Sequence, residues 1–309
     1  MPNFNGVWSL TTQAQYASDW PIPPDLSRGL FGGGTDFAAG AVNTIDFVVI
    51  STLGNATDFG NLTASRAYLA ALASSTRGVW AGGSSGVNII QYVTIESEGN
   101  ATDFGDLTLA RQSLAGCSSA TRGLTGGGDG GAPTTNVIEY ITIANTGNAT
   151  DFGDLTVSRE GVGACSSPTR GVFGGGSNKN VMDYVTIAST GNATDFGDLT
   201  ITGTGQAGCS TSTRGVFSGG GTTNTLQYIT IASTGNATDF GDLLNNTSYP
   251  VACSNSTRGL FAGGEVGSAS NVIAFITIAS TGNATDFGDL TVSRGAGGGL
   301  SNGHGGLQA

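Results

Sequence analysis

The 309-residue sequence contains few of the groups that charged binding surfaces require. It has one lysine (Lys179), one histidine (His304), and 11 Lys+Arg against 22 Asp+Glu, which gives a net charge of −11. Nucleic acids and anionic membranes are bound through basic surfaces, so this balance argues against both partners. No apolar run approaches the roughly 18 residues of a membrane span. The N-terminus lacks the basic and apolar regions of a secretory signal.

Catalytic groups are also scarce. His304 lies in a glycine-rich C-terminal stretch, and 11 of the 22 acidic residues belong to a repeated motif. A hydrolytic triad or a metal centre needs several such groups outside the repeat. We therefore expect no enzymatic activity, no cofactor and no metal. The remaining scattered carboxylates leave a carbohydrate-active enzyme as a less favoured hypothesis.

The abundant residue is glycine, with 53 copies, beside 38% apolar residues. Two motifs recur. The tract GNATDFG begins at Gly54, Gly99, Gly147, Gly191, Gly235 and Gly282. An Arg-Gly pair occurs at Arg28, Arg77, Arg122, Arg170, Arg214 and Arg258, with spacings of 44–49 residues. That period is typical of propeller blades, which span roughly 40–50 residues, and the Val, Ile, Thr and Gly content argues against helical repeats.

One repeat predicts four strands. In residues 158–200, GVGACSS, RGVFGGG, NVMDYVTI and ATDFGDLT are each short, and NVMDYVTI alternates with the period of two expected of a sheet. Six such units predict an all-β, six-bladed β-propeller over residues 27–301. The first unit lacks its first strand and residues 291–301 supply one, so we expect the C-terminal strand to pair with the N-terminal blade and close the ring.

The order of these residues resembles the kelch repeat. Its pattern is an Arg, a small-residue strand, an apolar strand ending in Gly-Gly, a strand with Tyr, and then an aromatic residue. The resemblance implies kelch-like blades over residues 27–301. The final aromatic residue is Phe here, as in Phe104, Phe152 and Phe196, where kelch repeats usually carry Trp.

The near-identical GNATDFGDL tracts resemble predicted virion proteins of bacteriophages, especially marine ones, that carry this repeat in tandem. The resemblance implies a virion structural protein, assembled in the host cytoplasm and displayed on the tail, a fibre or the capsid.

All variation in repeat length falls between strands two and three. From Arg to the Asn that opens strand three, the count varies from 10 to 15, whereas the other intervals are constant. Repeat proteins place binding differences where insertions fall. The loops at these positions therefore predict a ligand surface, and its candidate residues are Asp36, Phe37, Asp129, Lys179 and Glu265.

The repeated residues are expected to serve the scaffold. Strands two and four run in the same direction, so the Arg-Gly corners and the TDF tracts meet at one end of the ring. We predict that the arginines pair there with the TDF aspartates and that the DFG phenylalanines are core. The representative residues are Arg77, Arg122, Arg170, Asp103, Asp151, Asp195, Phe104, Phe152 and Phe196.

Two further patterns suggest chemistry but fit a structural role better. Cys117, Cys165, Cys209 and Cys253 occur once per repeat, without the CxxC spacing of zinc sites, and predict buried, reduced thiols. The NAT triplets have the form of glycosylation sequons, but their recurrence inside a turn predicts side chains that bond to the backbone.

Residues 1–26 lie outside the repeat and carry Trp8, Tyr16 and Trp20. We expect this segment either to anchor the protein to a partner or to pack on the ring. Residues 302–309 form a Gly-rich C-terminal tail.

The sequence thus predicts a non-enzymatic virion component. Its N-terminal segment would dock to other virion proteins, and its variable loops would bind another virion protein or a glycan or receptor on the host surface, with homo-oligomers as a further expectation. The main alternative is an intracellular kelch-like scaffold for protein interactions.

Overall fold

The computed structural model describes residues 26–36, 38–130, 133–265 and 267–308, and within them the chain forms 26 β-strands and one short 3₁₀ helix, Gly305–Leu307. The predicted anchor residues Trp8, Tyr16 and Trp20, and the predicted binding residue Phe37, lie outside the described residues.

The strands of the first half follow the repeat. They are β1 (Arg28–Gly32), β2 (Thr35–Asp36), β3 (Gly40–Ala41), β4 (Thr44–Val49), β5 (Thr57–Asn61), β6 (Ala70–Ala73), β7 (Arg77–Ala81), β8 (Ile89–Thr94), β9 (Thr102–Asp106), β10 (Ala115–Ser118), β11 (Arg122–Gly126), β12 (Val137–Thr142) and β13 (Thr150–Asp154).

The second half continues the same series. Its strands are β14 (Gly163–Ser166), β15 (Arg170–Gly174), β16 (Lys179–Thr186), β17 (Thr194–Gly203), β18 (Gly208–Ser210), β19 (Arg214–Ser218), β20 (Thr223–Thr230), β21 (Thr238–Thr247), β22 (Val251–Ser254), β23 (Arg258–Ala262), β24 (Val272–Thr277), β25 (Thr285–Asp289) and β26 (Gly298–Ser301).

Six antiparallel four-stranded sheets form a β-propeller, and only β2 and β3 lie outside them, as a small hairpin. The predicted fold class is confirmed. Blade 1 has the order β26-β1-β4-β5, and blades 2 to 6 follow in sequence order from β6 to β25. Blade 1 therefore contains both ends of the described chain, with Gly29 opposite Ser301 and Gly32 opposite Gly298.

The core lies between neighbouring blades. Each apolar cluster joins residues of two adjacent blades, as in the packing of Phe196 of blade 4 with Phe217 and Ile229 of blade 5. The six DFG phenylalanines are only 2–3% exposed, so their predicted core role is confirmed. Each packs edge-on against the aromatic residue of strand three, with ring centroids 5.8–6.2 Å apart.

The GNATDFG tract links each blade to the one before it. Between blades 1 and 2, Gly99 N donates to Phe59 O at 2.8 Å, and Asn100 Oδ1 accepts from Asn61 N at 3.0 Å. Gly60 must be glycine, because its φ is +147° and a Cβ there would lie 2.4 Å from Gly99 O. The tract covers the free edge of the outer strand.

The same link recurs around the ring, including the junction from blade 6 back to blade 1, where Gly54 N donates to Phe287 O at 2.9 Å. The asparagine side chains of the NAT triplets thus bond to the backbone, as predicted. The oxygens that accept these bonds belong to Asn55, Asn100, Asn148, Asn192, Asn236 and Asn283.

Among the described residues, no helix has the length and apolar character needed to cross a bilayer.

Candidate functional site

The ring has two different ends. The Arg face carries the six Arg-Gly corners, and the loop face carries the six connections between strands two and three. The residues that repeat without change have the same contacts in every blade on the Arg face, whereas the loop face differs from blade to blade.

On the Arg face, the predicted pairing of arginine with the TDF aspartates is wrong. Each guanidinium lies 4.2–5.0 Å from the centroid of the strand-three aromatic ring of its own blade. Its Nη1 donates at 2.8–3.1 Å to a carbonyl of the next blade, as from Arg170 to Ile231 O. The ion pairs of the described residues involve other arginines.

The physical reason is that an arginine–aspartate ion pair would stabilise the fold less than the contacts the arginine makes instead. The TDF aspartates, such as Asp103, Asp151 and Asp195, are exposed, and an exposed ion pair contributes only about 0–1 kcal/mol. In the observed position the guanidinium stacks on an aromatic ring and also donates to the carbonyl at the end of strand three. These two contacts together stabilise the fold more than an exposed ion pair would. The arginines therefore link consecutive blades, and the aspartates face solvent.

The C-terminal tail closes the central channel on the Arg face. Serine hydroxyls of the inner strands donate to carbonyls of the preceding blade, as from Ser166 to Ser118 O at 2.9 Å. Blade 2 has Ala73 at the serine position, and His304 Nε2 lies 2.9 Å from Ala73 O and 3.2 Å from Ser118 Oγ. The sequence suggests only a glycine-rich tail at this end. In the structure, this tail is a plug that packs on the inner strands.

The protonation state of His304 follows from its contacts. Its Nδ1 accepts from Gly306 N at 3.1 Å, so Nε2 carries the proton that is donated to Ala73 O. Burial lowers the pKa of His304 to about 4, although the Ala73 carbonyl acts in the opposite direction. The ring is neutral and structural.

The four cysteines are free and buried, as predicted. Their thiols lie against glycines of the next blade, as Cys165 does against Gly215. Burial raises their pKa values, to about 12 for Cys117, so the unreactive thiol form predominates. Among the described residues, no group of three or more His, Cys, Asp or Glu side chains is placed to hold a metal ion.

The mouth of the channel on the loop face is a ring of six residues in the left-handed backbone conformation. Their φ values lie between 53° and 77°. Each donates its N–H to the carbonyl of the equivalent residue in the preceding blade, at 2.5–3.2 Å, so the bonds form a closed circle. The six positions are Tyr68, Ser113, Gly161, Gly205, Tyr249 and Ala296.

Only two of these six side chains are large. The rings of Tyr68 and Tyr249 meet edge to face with centroids 5.5 Å apart. The Tyr249 ring also lies directly over Gly205, where a Cβ would be 2.7 Å from it. The two tyrosines therefore form a half-buried aromatic platform over the mouth.

Carboxylates surround this platform. Burial raises the pKa of Tyr68 and the negative charge of Glu265 raises it further. Burial also raises the pKa of Tyr249, with Tyr68 and Glu160 as smaller causes. Burial and Asp129 raise the pKa of Glu160. The mouth thus combines aromatic faces with a cluster of acidic groups.

Of the predicted binding residues, the structure describes Asp36, Asp129, Lys179 and Glu265, and it places them on the loop face without gathering them at one point. Asp129 and Glu265 occupy the same position in blades 3 and 6, next to the mouth, where their backbones pair with Gln112 and Ser248. Asp36 lies in the β2–β3 hairpin. Lys179 begins β16, opposite Gly203.

Sequence reasoning missed Tyr68, Tyr249 and Glu160. The signal was present in the repeat: at the position four residues before the central cysteine or its counterpart, four blades have Ser, Gly or Ala and two have Tyr. A large residue at a position that is small in the other blades is not required by the fold, and it therefore indicates a candidate functional position.

No protein-family model matches the sequence, and no curated protein shows significant similarity to it. The fold is therefore established by its geometry.

Proposed function

We propose that this β-propeller is a non-enzymatic recognition module that binds through its loop face. The observation that carries the proposal is the asymmetry between the two ends. The Arg face repeats one set of contacts six times and is closed by the tail, whereas Tyr68, Tyr249, Glu160 and Glu265 break the repeat around the mouth.

The mouth is shaped for a surface contact. The space beneath the tyrosines measures about 60 Å³, well below the roughly 300–1,000 Å³ of small-molecule pockets. An aromatic platform bordered by carboxylates offers stacking faces together with acceptors for hydroxyl groups. This chemistry suits a glycan displayed on a surface.

The finer proposal is a virion structural protein of a bacteriophage that contacts a host-surface glycan through the loop face, with residues 1–26 as the attachment to other virion proteins. It rests on the resemblance of the GNATDFGDL tracts and on the separation of a scaffold face from a variable face. The test is immunogold labelling of purified particles with an antibody against the propeller.

Label at a tail or fibre tip is the expected result for host recognition. Label spread over the capsid would make the protein a decoration component. Absence of label from every particle would overturn the virion proposal and favour an intracellular protein-interaction scaffold.

A further inference from the structure

A buried polar set recurs at the junctions between blades. A threonine from the end of strand four and an arginine three residues later meet a polar side chain of strand three in the next blade. At the junction entering blade 3, Thr108 and Arg111 both bond to Glu139, with no exposure of the ion pair. Equivalent sets occur entering blade 4 and blade 1: Thr156, Arg159 and Asp183, and Thr291, Arg294 and Asp46.

Two junctions depart in part but remain filled. Entering blade 2, Arg66 keeps the arginine position, and Gln91 stands in place of the acid and still accepts from Thr63. Entering blade 5, the arginine position is Gly203. There Ile201 lies over Gly219, where a Cβ would be 2.4 Å from its Cδ1.

The junction between blades 5 and 6 has lost the whole set. Leu244, Thr247 and Ala274 stand where the other junctions have threonine, arginine and a polar residue. Thr247 Oγ1 replaces the guanidinium contact with a single long bond to Gly263 O at 3.4 Å. The space left is a cleft of about 580 Å³, compared with about 50–80 Å³ for the cavities along the axis.

We propose that this junction cleft is a binding site for a neutral saccharide. The volume lies within the range of small-molecule sites. None of its described lining residues carries a charge, so neither an anionic nor a cationic ligand finds a counter-charge there. The inference deepens the proposed recognition function and rests on it, because it assigns a ligand class to one part of the loop face.

The lining matches the two kinds of surface that a sugar ring presents. Asn245, Asn246 and Ser270 offer amide and hydroxyl groups that can both donate and accept, which suits closely spaced hydroxyls. Leu244, 42% exposed, offers an apolar patch for the C–H face, and the buried Pro250 also lines the cleft. The side chains of Asn245 and Asn246 are exposed and make no hydrogen bond within the described chain.

The cleft adjoins the mouth. Pro250, which follows Tyr249, lines both the cleft and the space beneath the tyrosines. An oligosaccharide seated in the cleft can therefore extend toward the aromatic platform. Ser268 and Ser270, from the connection between strands two and three of blade 6, form one wall of the cleft.

The experiment uses the full chain and an array of neutral oligosaccharides, two to four units long, built from hexoses and N-acetylhexosamines. The first variant, Leu244→Thr/Thr247→Arg/Ala274→Glu, fills the cleft with the set of blade 3. The second variant, Asn245→Ala/Asn246→Ala, removes two exposed amides and leaves the core residues unchanged, so it tests binding separately from folding. Asn145→Ala, at an exposed asparagine in another blade, is the matched control.

The expected result is binding of at least one array member, weakened at least tenfold by both cleft variants and unchanged by the control. Hydrogen exchange should slow on binding in segments 243–250 and 267–274. Binding that survives both cleft variants would overturn the cleft site. If it is then lost in Tyr68→Ser/Tyr249→Gly, loop-face recognition stands without the cleft.

Absence of binding to every neutral member would also overturn the cleft as a saccharide site. It would leave the particle-labelling result untouched, so failure of this inference and failure of the virion proposal are separate outcomes.

Discussion

Arg294 and Asp46, 248 residues apart in the sequence, form a buried ion pair at the junction between blades 6 and 1, with Nη2 3.0 Å from Oδ2. Thr291 adds two hydrogen bonds to the same carboxylate. The pair fastens the C-terminal part of the chain to the N-terminal blade, alongside the pairing of β26 with β1.

Asp46→Asn should therefore destabilise the whole propeller. The substitution leaves the Arg294 guanidinium buried without a counter-charge, which costs about 3–5 kcal/mol. Urea unfolding measures the change in the free energy of unfolding. The matched control is Asp58→Asn at an exposed TDF position, with an expected change within about 0.5 kcal/mol. Equal effects of the two substitutions would contradict the stabilising role of the Arg294–Asp46 pair.

Gln91→Glu should stabilise the protein. Arg66 Nη1 and Gln91 Nε2 are both buried without a hydrogen-bond partner in the described chain, and each such group costs roughly 1–3 kcal/mol. A carboxylate at position 91 recreates the pair of blades 1, 3 and 4. The thermal midpoint should rise. Gln227→Glu should lower it, because the junction of Gln227 has Gly203 at the arginine position and the new carboxylate would have no counter-charge. A fall in both variants would show that Arg66 does not reach this site.

Arg170→Ala should cost about 1–3 kcal/mol, because it removes both the stacking on Tyr184 and the bond to Ile231 O. Asp195→Ala in the same blade should leave the stability nearly unchanged, since this aspartate is exposed. A double-mutant cycle between the two positions measures their coupling, and the expected value is near zero. A coupling above about 1 kcal/mol would restore the arginine–aspartate pairing that the repeat suggests.

Docking of the C-terminal tail should weaken as the pH falls from about 6.5 to 4. The pKa of His304 is lowered to about 4 in the docked tail, whereas an exposed histidine titrates near 6.5. In this window the released tail binds a proton that the docked tail does not, so acid favours release. Above pH 6.5 the docked tail has its full stability.

Hydrogen exchange at Gly305 and Gly306, corrected for intrinsic pH effects, measures this docking. The wild-type protection should fall between pH 7 and 5. His304→Gln, which keeps a donor for Ala73 O, should show a much smaller change. The same pH dependence in both proteins would assign the effect to other groups.

The scaffold could be predicted from sequence because each element of the repeat has one local function. The spacing of the Arg-Gly pairs indicates propeller blades and their six copies indicate six of them. The DFG phenylalanines and single cysteines are identifiable as core from their recurrence. The pairing of β26 with β1 follows from the complementary incomplete units at the two ends.

The contacts between blades were not predictable in the same way. Arg170 and Asp195 share one end of the blade, but whether they meet depends on a carbonyl of the next blade, which the sequence does not locate. The mouth and the junction cleft arise where different blades depart from the repeat, at Tyr68 and Tyr249 and at Leu244 and Ala274. The residues of each pair come from different blades and are brought together by the arrangement of the blades in the ring, so the residue pattern within one repeat does not show that they are close.

The central claim is that the face where the repeat is broken performs recognition. For the virion role proposed above, its most direct test is adsorption of particles to host cells in the presence of monovalent antibody fragments. One fragment is raised against the mouth around Tyr68 and Glu160, and the other against the exposed aspartates of the Arg face, Asp103 and Asp151. Blocking by the mouth fragment alone is the predicted result. Blocking by the Arg-face fragment alone, or unchanged adsorption with both bound, would contradict the account.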